Sequence, residues 1–149
     1  MRAVIQTVRE CSVTVEARET GKIASGLLVY LGVGRNDTER DAALLCEKIV
    51  TLRIFPDGDG KMNLSVRDVG GEIMVVSQFT LYGDARGGRR PSYSRAAEPA
   101  MAKALYAQSI SLLEKAGFAV AQGEFQASME VHYTNVGPVT ILLDSEKAF

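Results

Sequence analysis

The stretch Ile73-Met74-Val75-Val76-Ser77-Gln78-Phe79-Thr80-Leu81-Tyr82-Gly83 joins an apolar run to an abrupt polar ending. Its first four residues are apolar β-formers and predict a buried strand. Buried strands rarely end in several hydrogen-bonding side chains unless those groups have partners or a ligand. A glycine-rich, basic loop follows at once over residues 83–90. We therefore expect a functional site where this strand ends, carrying the side chains of Ser77, Gln78 and Thr80.

The composition around this stretch is that of an ordinary globular protein. The chain has 149 residues, which is typical of one domain, and we predict a single domain over residues 1–149. A hydrophobic fraction of 46% and a charged fraction of 23% do not indicate disorder. Because the 17 basic residues are balanced by 18 acidic ones, binding of a nucleic acid would require a local basic patch.

The sequence has no feature that predicts secretion or membrane insertion. Its first residues lack the apolar region of a signal peptide. No apolar run approaches the ~20 residues that a membrane-spanning helix needs. Two cysteines, Cys11 and Cys46, lie far apart and are interpreted as packing residues. We expect a cytoplasmic protein with no membrane partner.

The first half of the chain predicts strands followed by a helix. Residues 3–8 and 12–16 are interpreted as two strands, with a tight hairpin at Arg9-Glu10. The nearly continuous apolar run at residues 26–34 indicates a central strand buried on both faces. Asp37 or Thr38 can cap the first helix. Its apolar stripe consists of Ala42, Leu45, Ile49 and Leu52.

The second half predicts another helix and three short strands. Pro99 and Gly117 bound the helix. Three β segments follow, at about residues 119–125, 129–134 and 139–143. Since strands come in runs rather than in β-α-β alternation, the predicted fold class is α+β: a mostly antiparallel or mixed, barrel-like sheet with two main helices. The face of the second helix is predicted from Met101, Leu105, Ser109, Leu112 and Ala116.

The inventory of reactive side chains is sparse. The single histidine, His132, lies in an alternating strand and is interpreted as a strand-surface residue rather than a catalytic one. No cysteine or carboxylate cluster has ligand spacing, so we expect no metal. Ser77 lacks the G-x-S-x-G elbow of an exposed nucleophile, and no dinucleotide or Walker motif is present. We accordingly expect no cofactor.

A second notable stretch is Asn135-Val136-Gly137-Pro138-Val139-Thr140. Gly-Pro between two predicted strands restricts the backbone and removes a donor, which favours a turn. Alternatively, the carbonyl groups of Gly137 and Pro138 project into a pocket as a steric and hydrogen-bonding gauge. The residues alone leave both interpretations open.

A basic loop provides a third candidate. Arg86, Arg89, Arg90 and Arg95 surround Tyr93, a combination that can neutralise phosphates and stack on a base. The alternative is that these arginines are only solvated.

Together, the Ser77–Leu81 and Asn135–Thr140 stretches resemble the two signature motifs of D-aminoacyl-tRNA deacylases, the D-tyrosyl-tRNA deacylase family. The two motifs stand in the family's order, with co-linear matches between them, which makes the resemblance specific. These further matches are at residues 26–34, 52–55, 60–63, 88–91 and 104–106.

The resemblance implies a hydrolase that releases the amino acid from mischarged D-aminoacyl-tRNA, and from glycyl-tRNA, without a cofactor. It implies a homodimer in which Gly137 and Pro138, in the cis form, reach into the partner's pocket and exclude L-amino acids by clash. Backbone N–H groups near Phe79 and Thr80 would stabilise the oxyanion, while a ribose hydroxyl assists the attacking water. Covalent attack by Thr80 or Ser77 is the alternative.

The resemblance also assigns further residues and reveals departures. Members of the family have Gly-Ala-Asp-Met where this chain has Gln126-Ala127-Ser128-Met129, so Ala127 and Met129 are retained as substrate-binding residues beside Gly137 and Pro138. Arg86, Arg89 and Arg90 are candidate tRNA contacts.

Two positions near the Gly-Pro motif depart from the family's pattern. Val136 replaces a frequent aspartate, and Thr7 replaces an arginine that helps to hold the Gly-Pro orientation. Such changes leave two other hypotheses: a relaxed-chirality deacylase of small L-aminoacyl-tRNAs with a trans Gly-Pro bond, or a non-catalytic tRNA-binding module.

Overall fold

The structure is a computed structural model that describes residues 1–149. Two long strands are followed by a helix, three shorter strands, a 3-10 turn, a second helix and two more strands. In chain order these are β1 (Arg2–Val15), β2 (Arg18–Gly32), α1 (Glu39–Thr51), β3 (Phe55–Pro56), β4 (Met62–Leu64), β5 (Glu72–Ser77), the 3-10 turn (Phe79–Tyr82), α2 (Pro99–Lys115), β6 (Val120–Gln122) and β7 (Glu130–Asp144).

Five of the strands form one mixed sheet in the order β6-β5-β2-β1-β7, and β3 pairs with β4 separately. β5 runs parallel to β2 and β6, whereas β1 is antiparallel to both β2 and β7. This confirms the single α+β domain with two helices and a mixed sheet. The sheet is open rather than closed into a barrel, because β6 and β7 are both edge strands and do not pair with each other.

The predicted hairpin at Arg9-Glu10 is wrong, since β1 continues through these residues. Glu10 has a φ of +55° and lies where the pairing of β1 with β7 is irregular, so the extra residue is absorbed as a bulge. The turn lies instead at Glu16 and Ala17, with φ values of +49° and +63°. Two consecutive positive φ values are typical of the two-residue turns that match strand twist. Neither residue is a usual turn former, which is why the sequence did not reveal it.

β5 is buried on both faces of the sheet, as its continuous apolar run predicted. Ile73 and Val75 belong to the main core, which both helices cover. Met74 and Val76 face a second, smaller cluster on the other side, which includes Met129 and Val131 as partly buried neighbours. The strand is therefore fixed from both sides, and its last residue has a defined position.

The helices begin as predicted. In α1, Thr38 is the N-cap, and its N–H donates to Asp41 Oδ2 at 2.8 Å. In α2, Pro99 is the first residue. Its buried face contains the predicted Leu105 and Ser109, and the predicted Met101 and Leu112 are partly buried against the core. Ala116 is exposed instead, and Tyr106, Ile110 and Leu113 are buried. Since Tyr106 donates to Val75 O at 2.9 Å, α2 is turned toward β5 by that bond.

Neither helix combines the length and the apolar character that crossing a bilayer requires. Cys11 and Cys46 are both buried free thiols, as expected for packing residues, and burial raises the pKa of each to about 11.

The two strands predicted at residues 129–134 and 139–143 are one strand, β7. Its pairing with β1 is interrupted and then resumes, because Asn135 faces Val8 while Thr140 faces Gln6. The chain therefore does not turn at Gly137-Pro138, and the strand continues through these residues. The segment at residues 119–125 is correspondingly reduced to the three residues of β6.

Candidate active site

A cavity of about 570 Å³ lies where β5 ends, and we call it the β5 cavity. It is mostly apolar, with nine hydrophobic residues among thirteen. The structure brings together five of the predicted site residues here, from two distant parts of the chain: Ser77, Gln78, Phe79, Ala127 and Met129. Thr80 does not line it. The other lining residues are Val33, Val76, Ala97, Pro99, Ala102, Phe125, Gln126 and Val131.

The backbone turns sharply at the rim of this cavity. The N–H of Gln78 donates to Leu31 O at 2.9 Å and keeps the end of β5 beside β2. The 3-10 turn then begins at Phe79. The first N–H groups of a helical turn have no partner within it. Those of Phe79 and Thr80 donate to no loop, turn or side-chain acceptor either. Phe79 lines the β5 cavity, so its N–H is a donor without such a partner beside the cavity, and the N–H of Thr80 is the next along the turn.

The side chains at this rim lack a group that could activate a nucleophile. Gln78 Nε2 donates to Thr80 Oγ1, and the Ser77 hydroxyl has no hydrogen-bonded histidine or carboxylate. His132 lies on the exposed surface of β7, with Nε2 3.7 Å from Glu130 Oε2, and does not line the cavity. The interpretation of His132 as a strand-surface residue is confirmed. The geometry thus offers backbone donors and shape rather than an activated side chain.

The Gly-Pro motif lies in a bulge of β7. Between the pairs Val8–Asn135 and Gln6–Thr140, Thr7 alone faces four residues, 136–139, which we call the bulge segment. Its Gly137–Pro138 peptide bond is cis. Gly137 has a φ of +113°, and a Cβ there would lie 2.8 Å from Val139 Cγ2. The conformation therefore requires glycine.

Side chains from β1 and β7 hold the base of the bulge segment. Thr7 Oγ1 donates to Val136 O at 2.6 Å. The amide of Asn135 donates to Thr7 O at 2.9 Å and to Val139 O at 3.1 Å. Thr7 is only 4% exposed. These bonds replace the ladder bonds that the bulge interrupts. The sequence signal that marks Thr7 is a polar residue amid the apolar positions of β1, and Asn135 is the first residue of the motif.

Gly137 and Pro138 are exposed, and neither lines the β5 cavity. The two motifs that stand out in the sequence are thus not joined within one chain. Exposed apolar side chains accompany the bulge segment along the unpaired edge strand β7, where Tyr133, Val136 and Leu142 are 37%, 44% and 56% exposed. An open edge with such side chains is a surface on which another chain can dock.

Of the four arginines around Tyr93, Arg95 lies 3.4 Å from Glu146 Oε2, and the three within residues 83–90 differ in their contacts. Arg86 is paired with Asp84 through two bonds, at 2.9 Å from Nε and 2.5 Å from a terminal nitrogen. Hydrogen bonds from Arg86 lower the pKa of Asp84 well below its usual range. Arg89 and Arg90 are exposed and have no carboxylate partner. None of the three lines the β5 cavity. Only Arg89 and Arg90 are therefore free to meet a phosphate.

Comparison with known proteins places this geometry in a family. The family model described as D-Tyr-tRNA(Tyr) deacylase matches residues 4–144. The chain belongs to the D-aminoacyl-tRNA deacylase family. Two curated relatives named D-aminoacyl-tRNA deacylase are 58% identical (Syntrophobacter fumaroxidans) and 57% identical (Thermotoga petrophila), each with complete coverage of both chains over 149 residues.

Solved structures agree with this assignment of the fold. One described as a c-Myc DNA unwinding element binding protein is 37% identical, with a TM-score of 0.91, and the match covers 97% of this chain and 98% of that one. Another, described as a probable eukaryotic D-amino acid tRNA deacylase, is 16% identical with a TM-score of 0.81, covering 95% and 97% of the two chains. The second likeness concerns the fold alone.

One departure from the deacylase family's pattern lies in the cavity wall itself. Gln126 stands where the resemblance expects glycine, and its φ is +66°, a conformation that L side chains adopt at a cost. The backbone has thus kept the shape that a glycine would take, while a longer side chain joins the lining of the β5 cavity.

Proposed function

We propose that this protein hydrolyses the ester bond of D-aminoacyl-tRNA, and of glycyl-tRNA, releasing the free amino acid and tRNA. The observation that carries the proposal is the β5 cavity. It joins residues 77–79 to Ala127 and Met129, and the N–H groups of Phe79 and the adjacent Thr80 have no loop, turn or side-chain acceptor. A cavity of this size and apolar character suits the aminoacylated end of a tRNA more readily than a duplex.

The chemistry follows from what the rim contains. An aminoacyl ester is already activated, so hydrolysis requires a positioned water and stabilisation of the oxyanion. The N–H groups of Phe79 and Thr80 supply the second requirement. The hydroxyl of the terminal ribose, adjacent to the ester, assists the attacking water. Ser77 and Thr80 then contact the substrate without forming a covalent intermediate, because no neighbouring base activates them.

Chiral selection is assigned to a second copy of the chain. Residues 136–138 of the bulge segment are exposed, and the segment lies outside the cavity of its own chain and is held at its base by Thr7 and Asn135. Docking of the apolar β7 edges in a homodimer would bring Gly137 and Pro138 into the partner's β5 cavity. Their carbonyl groups would occupy the space that an L side chain needs, so D residues and glycine are admitted and L residues rejected.

The decisive experiment follows ester loss from matched D- and L-aminoacyl-tRNA and from glycyl-tRNA with the purified chain, together with its mass in solution. We expect hydrolysis of the D and glycyl forms, little of the L form, and the mass of a dimer. Equal hydrolysis of D and L forms would favour the relaxed-chirality enzyme. Binding of tRNA without any turnover would favour the non-catalytic module, and either result overturns the proposal.

A further inference from the structure

Two exposed aromatic rings lie at the mouth of the β5 cavity. Phe79 is 56% exposed and lines the cavity, while Tyr93 is 39% exposed and stands just outside it. Their ring centroids are 5.1 Å apart, with the planes at 68°. Edge-to-face contact of this kind leaves ring surface open to solvent. The pair therefore extends the apolar lining of the cavity onto the outer surface.

Tyr93 is held in place by the backbone around it. Asp84 and Ser92 exchange two backbone hydrogen bonds, of 2.8 and 2.9 Å, which close the basic loop. The N–H of Ala96 donates to Tyr93 O at 2.9 Å. A Cβ at Gly83 would lie 3.1 Å from Tyr93 Cε1, so the ring lies directly against the glycine that ends the 3-10 turn. Its position is thereby coupled to the segment that carries the free N–H donors.

The charge beside this pair has the sign that a nucleic acid requires. Arg89 and Arg90 belong to the loop that the Asp84–Ser92 bonds close, and both are exposed without a carboxylate partner. The chain as a whole has a net charge of −1, so this is a local feature. Aromatic rings beside a basic segment are the arrangement that binds single-stranded nucleic acid, because every base has a face that can stack.

We propose that Phe79 and Tyr93 form a stacking platform for a base of the single-stranded 3′ end of tRNA, on the 5′ side of the nucleotide that carries the amino acid. Arg89 and Arg90 contact the neighbouring phosphates. The inference rests on the proposed function, since the aminoacylated nucleotide must occupy the β5 cavity for the preceding one to reach Tyr93. The site thereby distinguishes a tRNA end from an isolated aminoacyl nucleoside.

The test compares two substrates in Tyr93→Ala and in the matched control Tyr93→Phe, which keeps the ring. One substrate is full D-aminoacyl-tRNA and the other is D-aminoacyl-adenosine. We expect Tyr93→Ala to lower kcat/KM for the tRNA about tenfold more than for the nucleoside, mainly through KM, and Tyr93→Phe to stay near the original protein. An equal loss on both substrates, or a change in oligomeric mass, overturns the platform, since Tyr93 would then shape the cavity or the subunit interface.

A binding measurement separates failure of this inference from failure of the proposed function. A labelled single-stranded RNA ending in cytidine-cytidine-adenosine is titrated at several salt concentrations. Removing one phosphate-binding side chain, in Arg89→Ala or Arg90→Ala, should reduce the slope of log K against log salt by about 0.7, whereas Arg40→Ala on α1 should leave it unchanged. RNA binding that is weaker in Tyr93→Ala, together with no hydrolysis of D-aminoacyl-tRNA, would contradict the deacylase proposal and support the platform. Equal binding of this RNA by Tyr93→Ala and the original protein would contradict the stacking platform alone.

Discussion

The end of β5 and the middle of β7 both depart from regular strand geometry, but they do so in opposite ways. The 3-10 turn after β5 leaves backbone donors free beside a cavity that this chain completes by itself. The bulge segment of β7 has its base held by side-chain hydrogen bonds and does not line that cavity. The difference is what the proposed function expects, with the chemistry built within one chain and chiral selection supplied by a second copy. Variants on each side of this comparison should therefore change different observables.

The largest effect is expected at the free N–H of Phe79. Phe79→Pro removes that donor without breaking a loop, turn or side-chain hydrogen bond, and Gln78, with φ −144° and ψ +81°, lies outside the α region that a following proline disfavours. Phe79→Ala is the matched control, because it loses the same ring and keeps the N–H. Single-turnover hydrolysis of D-aminoacyl-tRNA should be about 10²–10³-fold slower in the proline variant than in the alanine variant. Equal rates would remove the backbone donor from the mechanism.

A change in the bulge segment should act on selectivity instead. Gly137→Ala places a Cβ 2.8 Å from Val139 Cγ2 at a φ of +113°, and the strain of such a position is about 1–3 kcal/mol. We expect hydrolysis of L-aminoacyl-tRNA to rise about 10–100-fold relative to the D form, as that strain displaces the gauge. Gly58→Ala is the control, since nothing lies within 4 Å of its Cβ. An unchanged D-to-L ratio in a folded Gly137→Ala protein would contradict the assignment.

A smaller effect is expected from Thr7, whose hydroxyl holds the base of the bulge segment. Thr7→Val removes the donor to Val136 O and leaves the carbonyl group unpaired, which costs about 1–2 kcal/mol of unfolding free energy. The D-to-L ratio should fall by about tenfold or less, while turnover of the D substrate stays close to that of the original protein. Thr7→Ser, which keeps the hydroxyl, should restore both. Denaturant unfolding and the paired hydrolysis assay measure the two quantities, and a loss confined to stability would make Thr7 purely structural.

The smallest effect is expected at Gln126, where φ is +66°. Gln126→Gly relieves the left-handed conformation and should raise the free energy of unfolding by less than about 1 kcal/mol, after the greater entropy of an unfolded glycine is subtracted. Ser128→Gly, two residues along and without a positive φ, should lower stability by about 0.5 kcal/mol. Thermal unfolding of the two variants gives the comparison. Stabilisation by both, or by neither, would mean that the backbone at Gln126 is unstrained.

Local patterns accounted for much of the fold. The continuous apolar run of β5, the Thr38 cap of α1 and Pro99 at the start of α2 each carry a signal within a few residues, and each prediction is confirmed. The turn at Glu16-Ala17 has no such signal, because neither residue favours a positive φ and only the pairing of β1 with β2 stabilises it there. The same holds for the continuity of β7 across Pro138, which depends on β1 pairing on both sides of the bulge.

The order of the amino acids was enough to establish the class of the domain, the polar end of β5 and, through two motifs, the deacylase family. Those properties depend on residues that are close in the chain or matched in order. Folding in three dimensions was needed to show that Ala127 and Met129 meet residues 77–79 in one cavity, that Thr7 holds the bulge segment and that Arg86 is neutralised by Asp84 while Arg89 and Arg90 are not. These facts depend on contacts between residues that are far apart in the chain, such as Thr7 and Val136, which are separated by 129 positions. They also depend on which side chains remain without a partner after folding. Such contacts exist only once the sheet has brought distant strands together, so no local pattern encodes them.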